Sequence, residues 1–176
     1  MAKSYKLKDE NYLDSSGIIY KNEKKDLETI LDNYNIGTTR EVTVIDSYVR
    51  LFSVNLTANY KDCSIFFTLT DTQSGVYSQF VNLLVRHGAA SASVLVRNFK
   101  TLPFRGDVTA KLVAVVVDSR NIDIYCKMEN AQSPTINILS TAKLSNGDSY
   151  GKLTIDCETV VSTLPSGTQT FVSNIT

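Results

Sequence analysis

The stretch from Asp107 to Met128 decides the fold, and it reads Asp-Val-Thr-Ala-Lys-Leu-Val-Ala-Val-Val-Val, then Asp-Ser-Arg-Asn, then Ile-Asp-Ile-Tyr-Cys-Lys-Met. Every residue from Leu112 to Val117 is apolar, which predicts a strand that is covered on both faces. The polar step from Asp118 to Asn121 predicts a tight turn. Beyond it, apolar residues alternate with Asp, Tyr and Lys, which predicts a second strand with one face on the core and the other face, including Tyr125, in water.

The chain after Glu41 shows the same alternation of apolar and polar residues. Apolar residues recur at every second position in roughly nine short segments, and Asn, Asp, Gly or Pro residues lie between these segments. No repeat with a period of about 20 to 50 residues is present, which excludes solenoids and propellers. The pattern predicts a mainly β protein: an antiparallel β-sandwich or jelly-roll-like head over residues 38–176, preceded by a short N-terminal α-helix.

Residues 1–37 differ from the head. Residues 1–21 hold only short alternating pieces, whereas residues 22–34 have the apolar spacing and early acids of an amphipathic helix capped by Asn22. The apolar stripe of this helix consists of Leu27, Ile30, Leu31 and Tyr34. At about three turns the helix is marginal alone, so its stripe is expected to pack on the head or on the same helix of sister subunits. We therefore predict a separate arm and helix that need a partner surface.

Charge and hydropathy exclude two classes of partner. The chain has 18 basic and 18 acidic residues without a dense basic cluster, so nucleic-acid binding is not expected. The longest apolar run has six residues, far fewer than the roughly 20 of a membrane-spanning helix, and the N-terminus has no apolar leader. We expect a protein made in a cytoplasm, without membrane insertion. Cys126 and Cys157 are in phase with apolar neighbours, so we expect buried thiols and no disulfide framework.

Motifs for catalysis and metal binding are missing from the sequence. It has no glycine-rich phosphate loop, His-Glu-x-x-His, Gly-x-Ser-x-Gly or Cys-x-x-Cys, and its single histidine, His87, precedes a glycine in an expected loop. Arg105-Gly-Asp107 matches an integrin-type tripeptide, but a turn explains it better. Four aspartates are too scattered to form a calcium loop, namely Asp71, Asp118, Asp148 and Asp156. No catalytic residue, metal or cofactor is therefore expected.

Tyrosine stands out in the composition, with nine Tyr, seven Phe and no Trp. Several tyrosines lie at expected strand ends or on polar faces, where a ring can stack on the apolar face of a sugar or form the rim of a subunit contact. The residues alone favour neither interpretation. Together with polar residues of the expected loops, the candidate ligand-binding residues are Tyr77, His87, Arg105, Asp107, Tyr125 and Tyr150.

Two portions of the chain resemble phage tail proteins. Tyr5-Lys-Leu-Lys-Asp-Glu-Asn-Tyr-Leu-Asp-Ser-Ser-Gly-Ile-Ile-Tyr20, with the helix through Tyr34, is similar to short N-terminal modules of fibre and receptor-binding proteins. The body from Tyr48-Val-Arg-Leu-Phe-Ser-Val-Asn-Leu-Thr57 through Asn121-Ile-Asp-Ile-Tyr-Cys-Lys127 is similar to their β heads. These portions cover most of the chain, and together they resemble baseplate or tail-tip receptor-binding proteins of phages that infect Gram-positive bacteria.

This resemblance implies a non-enzymatic virion protein that is assembled in the host cytoplasm. It implies a homotrimer whose residues 1–37 join other baseplate and tail proteins and whose head binds a cell-wall polysaccharide or teichoic acid. The stripe of Leu27, Ile30, Leu31 and Tyr34 would then be the oligomerisation contact, which agrees with the shortness of the helix. The chain has no long shaft between helix and head, so an outermost adhesin and a structural piece nearer the baseplate core are both open.

Three functions are compatible with these features. The first is saccharide binding by a virion receptor-binding protein, and the second is a structural baseplate or fibre adaptor whose Tyr-rich surface makes protein contacts. The third is a cell-wall glycan hydrolase, which would need two carboxylates about 5 to 9 Å apart in a groove. We favour the first function, and the sequence does not show whether any two of its acids meet in this way.

Overall fold

The computed structural model describes residues 5–6, 12–14, 17–20, 23–25, 37–43, 47–58, 60–71, 77–87, 92–100, 108–118, 120–143, 151–167 and 169–175. Of these, only the backbone is described for residues 5–25, 77, 87, 92–100 and 169–175. These residues are mainly antiparallel β. None of the described segments is a helix that could cross a membrane. In chain order the strands are β1 (Tyr5–Lys6), β2 (Tyr12–Asp14), β3 (Gly17–Tyr20), β4 (Glu23–Lys25), β5 (Thr39–Glu41), β6 (Tyr48–Leu56), β7 (Lys61–Asp71), β8 (Tyr77–His87), β9 (Ala92–Lys100), β10 (Thr109–Val116), β11 (Asn121–Glu129), β12 (Pro134–Ala142), β13 (Gly151–Ile155), β14 (Val160–Val161) and β15 (Gln169–Ile175).

The N-terminal strands form a four-stranded sheet in the order β1-β2-β3-β4. Tyr20 of β3 pairs with Glu23 of β4, so the prediction that a helix begins at Glu23 is wrong for Glu23–Lys25. Only Lys21 and Asn22 separate the paired residues, and asparagine favours tight hairpin turns as well as helix caps, so the same residue is compatible with either structure. The predicted oligomerisation residues lie outside the described residues, and their role stays a prediction: Leu27, Ile30, Leu31 and Tyr34.

Two larger sheets follow along the chain. The five-stranded sheet has the order β5-β12-β7-β8-β9, and the six-stranded sheet has the order β13-β6-β11-β10-β15 with β14 also paired to β6. Alternate residues of β7 are buried, as the period-two pattern predicts. Buried residues of both sheets belong to one core cluster, in which Phe52 of β6 and Phe67 of β7 meet edge to face at a ring-centroid distance of 5.1 Å. The prediction of a mainly antiparallel β protein is confirmed.

Strand β10 is covered on both faces, as its sequence predicts. Every residue from Leu112 to Val116 is buried. The even-numbered residues lie in the shared core, whereas Val113 and Val115 lie in a second cluster on the opposite face. The buried run ends one residue earlier than predicted, because Val117 is 41% exposed. β10 pairs with β11 on one side and with β15 on the other, which places it inside the six-stranded sheet.

The second cluster is covered by residues of β6, of β14 and of the segment after β14. It consists of Val113, Val115 and Tyr125, against which Tyr48, Val161 and Leu164 pack. Farther along this segment, a Cβ atom added at Gly167 would lie 2.5 Å from the carbonyl oxygen of Val116 and 2.6 Å from a methyl carbon of Val115. Because the backbone passes this close to β10, only glycine fits at position 167.

The predicted turn between β10 and β11 is confirmed. One carboxylate oxygen of Asp118 accepts hydrogen bonds from the backbone amides of Arg120 (2.7 Å) and Asn121 (2.8 Å), and the other accepts one from the Asn121 side chain (2.6 Å). These bonds lower the pKa of the Asp118 carboxyl, and the Asn121 side chain is the largest cause. Asp118 therefore closes the turn by accepting from amides that the strands do not pair.

The three cysteines are buried free thiols, as predicted for Cys126 and Cys157. Burial raises the pKa of Cys63, Cys126 and Cys157 to about 12 in each case. The thiolate is the nucleophilic form of cysteine, so these side chains act as apolar core residues at neutral pH.

Candidate functional site

A groove of about 510 Å³ opens where the edge of the five-stranded sheet meets the loop after β13. Within the described chain, the segments that line it are residues 41–43, residues 132–135 and Glu158. Its side chains are two carboxylates, three hydroxyls and one primary amide around the buried Val42 and Pro134. These acceptors and donors can form hydrogen bonds with a polar ligand.

The first wall is the short edge strand β5 and the two residues after it. Glu41 pairs with Thr135 of β12 in the five-stranded sheet. The backbone amide of Val42 donates to the carbonyl of Pro134 (2.8 Å), and that of Thr43 donates to the carbonyl of Cys157 (3.1 Å). Residues 42 and 43 thus connect the five-stranded sheet to the loop after β13, while Glu41 and Thr43 stay exposed on either side of the buried Val42.

The second wall is the loop between β11 and β12, and a buried aspartate holds it. Asp71, at the end of β7, is only 1% exposed. Its two carboxylate oxygens accept hydrogen bonds from the backbone amides of Gln132 (3.1 Å) and Ser133 (2.8 Å). Because a carboxylate makes strong bonds to amides in a partly buried setting, Asp71 fixes the backbone that carries the Gln132 and Ser133 side chains.

The third wall is the loop after β13, and a second aspartate holds it. One oxygen of Asp156 accepts from the backbone amides of Glu158 (3.0 Å) and Thr159 (2.8 Å). The other oxygen accepts from the Thr159 hydroxyl (2.7 Å) and from the Arg50 guanidinium (2.8 and 2.6 Å). These bonds fix the loop backbone, so Glu158 is held at the rim of the groove.

Arg50 lies between two aspartates on the outer face of the six-stranded sheet. Besides Asp156, its guanidinium approaches Asp123 at 3.5 Å. Asp123 also accepts hydrogen bonds from the hydroxyls of Ser53 (2.6 Å) and Tyr125 (3.4 Å). The network ties β6 and β11 to the loop after β13 and so supports the third wall of the groove.

Asp123 and Asp156 are two carboxylates beside Arg50, and a glycan hydrolase also needs two carboxylates, but Asp156 does not have the acidity of a catalytic acid. Burial raises the pKa of Asp156, but the hydrogen bonds from Thr159, Glu158 and Arg50 outweigh burial and hold it at about 2. The general acid of a glycosidase instead needs a pKa raised toward neutrality. Asp156 therefore has the properties of an anion that holds a loop.

Acid is expected to weaken the fold through Asp156. The group has a pKa of about 2 in the folded chain and 3.8 as a free side chain. A depressed folded pKa stabilises the protein above the unfolded pKa, and this stabilisation is lost as pH falls from about 4 to about 2. The loss should be about 2 kcal/mol. Urea unfolding of the wild type and Asp156→Asn between pH 5 and pH 2 measures it, and an equally steep pH dependence in the variant would contradict the assignment.

Of the six sequence-predicted ligand residues, the three that the structure describes do not converge. Tyr77 and His87 are the two ends of β8, which lie roughly 33 Å apart along a strand of that length. Arg105, Asp107 and Tyr150 lie outside the described residues. Tyr125 is not among the described residues that line the groove.

The prediction that Tyr125 faces water is wrong. The residue is 2% exposed, and its ring therefore offers no free face for a sugar. It lies opposite Val113 in the register of β10 and β11, and it packs in the cluster that covers the outer face of β10. A strand that is apolar on both faces requires apolar cover on both, and Tyr125 provides part of that cover.

Sequence reasoning missed the groove residues because they come from three distant segments. The Asn130–Pro134 stretch was recognisable as a turn, and Glu41 as the start of the alternating pattern. Only the pairing of β5 with β12, together with the loop after β13, brings them to one place.

Comparison of the chain with protein-family models, curated proteins and solved structures gives no match. In the part of the chain that the structure describes, no group of three or more His, Cys, Asp and Glu side chains is arranged to hold a metal ion. The groove is therefore interpreted from its own chemistry.

Proposed function

We propose that this protein is a non-enzymatic saccharide-binding component of a phage tail tip or baseplate, and that the groove binds the saccharide. The observation that carries the proposal is the groove itself, about 510 Å³ in volume and lined by carboxylate, hydroxyl and amide side chains. The cluster shared by the two large sheets supports a sandwich or jelly-roll arrangement of the head.

The groove side chains match the bonding needs of sugar hydroxyls. Each sugar hydroxyl both donates and accepts, and carboxylates accept while Gln and Ser or Thr side chains do both. Glu41, Thr43, Gln132 and Glu158 are exposed and oriented along the groove lining. The Thr135 hydroxyl already bonds to Thr70 (2.6 Å) and contributes less. Because two aspartates hold the walls before a ligand arrives, little ordering is needed on binding.

The virion assignment rests on the resemblance of the sequence to phage receptor-binding proteins. On this proposal three chains assemble through residues 1–37, which also join other baseplate and tail proteins. Three grooves on one particle would convert weak single contacts into strong adsorption, since later contacts become intramolecular. The cell-wall saccharide of a Gram-positive host is the proposed ligand.

A glycan array tests the proposed function. The wild type should bind at least one wall-type glycan, and the double variant Thr43→Val with Gln132→Ala should bind it about tenfold more weakly because two groove hydrogen-bonding side chains are lost. Thr109→Val is the matched control, since Thr109 is an exposed threonine on β10 outside the groove lining. An array without any bound glycan, or unchanged binding by the double variant, would contradict the proposal.

A structural adaptor is the second candidate, and one feature favours it. Phe66 of β7 and Phe80 of β8 are half-buried on the face of the five-stranded sheet that is opposite the core, with ring centroids 6.0 Å apart and nearly parallel planes. Aromatic pairs of this kind are enriched in protein contacts. This function predicts that the protein binds tail proteins and leaves the glycan array blank.

A further inference from the structure

The groove has an unbalanced charge. Among the described residues that line it are the acids Glu41 and Glu158, and none of these described residues is basic. Both glutamates are exposed, and within the described chain neither carboxylate has an ion pair or a side-chain hydrogen bond. Arg40 precedes Glu41 on β5 and is not among the described lining residues. Burial raises the pKa of the Cys157 thiol, and the positive charge of Arg40 acts in the opposite direction.

This charge selects between classes of saccharide. A phosphate or carboxylate group entering the groove would meet two negative charges, and like charges brought together on binding are unfavourable. An ammonium group would instead make charge-assisted hydrogen bonds, which are roughly twice as strong as neutral ones. A neutral acetamido group at the same position gains neither effect.

We propose that the groove binds a saccharide that carries a free amine, and that it discriminates against anionic polymers. This inference rests on the proposed saccharide-binding function and adds the charge of the ligand to it. It disfavours the phosphate backbone of a teichoic acid as the bound group. The specificity resides in Glu41 and Glu158, whereas Thr43, Gln132 and Ser133 bond to hydroxyls that all sugars share.

Matched tetrasaccharides test the inference by calorimetry on the full chain. The probes are a β-1,4-linked glucosamine tetrasaccharide, its fully N-acetylated counterpart and a galacturonic acid tetrasaccharide. The free-amine probe should bind about tenfold more tightly than the N-acetylated one, and the acidic probe should bind most weakly. Raising the salt concentration should reduce the advantage of the free-amine probe, because the carboxylates are exposed.

Two variants assign the preference to the groove. Glu41→Gln combined with Glu158→Gln should remove the preference for the free amine, so that the free-amine and N-acetylated probes bind with equal affinity. Asp62→Asn is the control, because Asp62 is an exposed acid at the far end of β7, paired with Lys143 at 2.6 Å. The control should keep the preference for the free amine.

The outcomes separate the two proposals. Equal binding of the free-amine and N-acetylated probes, or a preference that persists in the double variant, would overturn the inference and leave saccharide binding intact. Absence of binding to every probe, together with a blank glycan array, would overturn the proposed function as well.

Discussion

Replacement of Phe67 by alanine is expected to lower the free energy of unfolding by about 4 kcal/mol. Phe67 is fully buried, and its ring meets that of Phe52 at 5.1 Å with an angle of 71° between the ring planes. The pair joins β7 of the five-stranded sheet to β6 of the six-stranded sheet, so the substitution removes a contact between the sheets as well as apolar area. The strands beside Phe67 are paired in register at Val81 and Ile138 and cannot easily collapse into the cavity.

The neighbouring residue supplies the matched control for this experiment. Phe66 has the same side chain on the same strand, but it is half-buried on the opposite face, where it stacks on Phe80. Phe66→Ala should cost about 1 to 2 kcal/mol. Urea unfolding monitored by circular dichroism compares the two variants. Equal losses would mean that the two sheets do not share the core described above.

The strands could be predicted because their signal is local. In β7 the burial of each residue follows from its parity, and in β10 the unbroken apolar run indicates burial on both faces. Both patterns can be read from the chain without knowing the neighbouring strand. The Asp118 turn was predictable for the same reason, since an aspartate side chain bonds to amides two and three residues ahead.

Tyr125 shows where local reading fails. It is flanked by Asp123 and Lys127, and this alternation predicts a face in water. The strand that pairs with it carries Val113 at the opposite position, however, and that pairing buries the ring. Whether an amphipathic ring is exposed depends on the residue across the strand, which the chain alone does not specify.

The scattered aspartates also show which roles of a residue can be predicted from the sequence and which cannot. No stretch of sequence holds enough of them for a calcium site, and three of the four act singly: Asp71, Asp118 and Asp156 each hold a loop through backbone amides. The signal for Asp118 and Asp156 was an aspartate directly after an apolar strand segment. For Asp71 the loop that it holds lies about 60 residues farther along the chain, so only the fold shows its partner.

Asp71→Ala is expected to lower the free energy of unfolding by about 3 kcal/mol, since bonds to a charged acceptor contribute about 1.5 to 3 kcal/mol and those from the Gln132 and Ser133 amides are lost. Urea unfolding measures the loss in free energy of unfolding. Asp62→Ala is the control at the exposed end of the same strand, and it should lower the free energy of unfolding by less than about 1 kcal/mol. Amide hydrogen exchange locates the effect. Protection should fall at Gln132 and Ser133, which Asp71 holds, and should persist at Arg120 and Asn121, which Asp118 holds.

The same variant links the fold to the groove. If the Gln132–Ser133 backbone loosens, one wall loses its fixed position, and the ordering that binding then requires should weaken the groove's affinity for saccharide by about tenfold. The groove acids Glu41 and Glu158 are unaltered in Asp71→Ala, so any preference for a free amine should survive at lower affinity. Unchanged exchange at Gln132 and Ser133 in a folded variant would contradict the role of Asp71, because the loop would then be held by contacts other than this carboxylate.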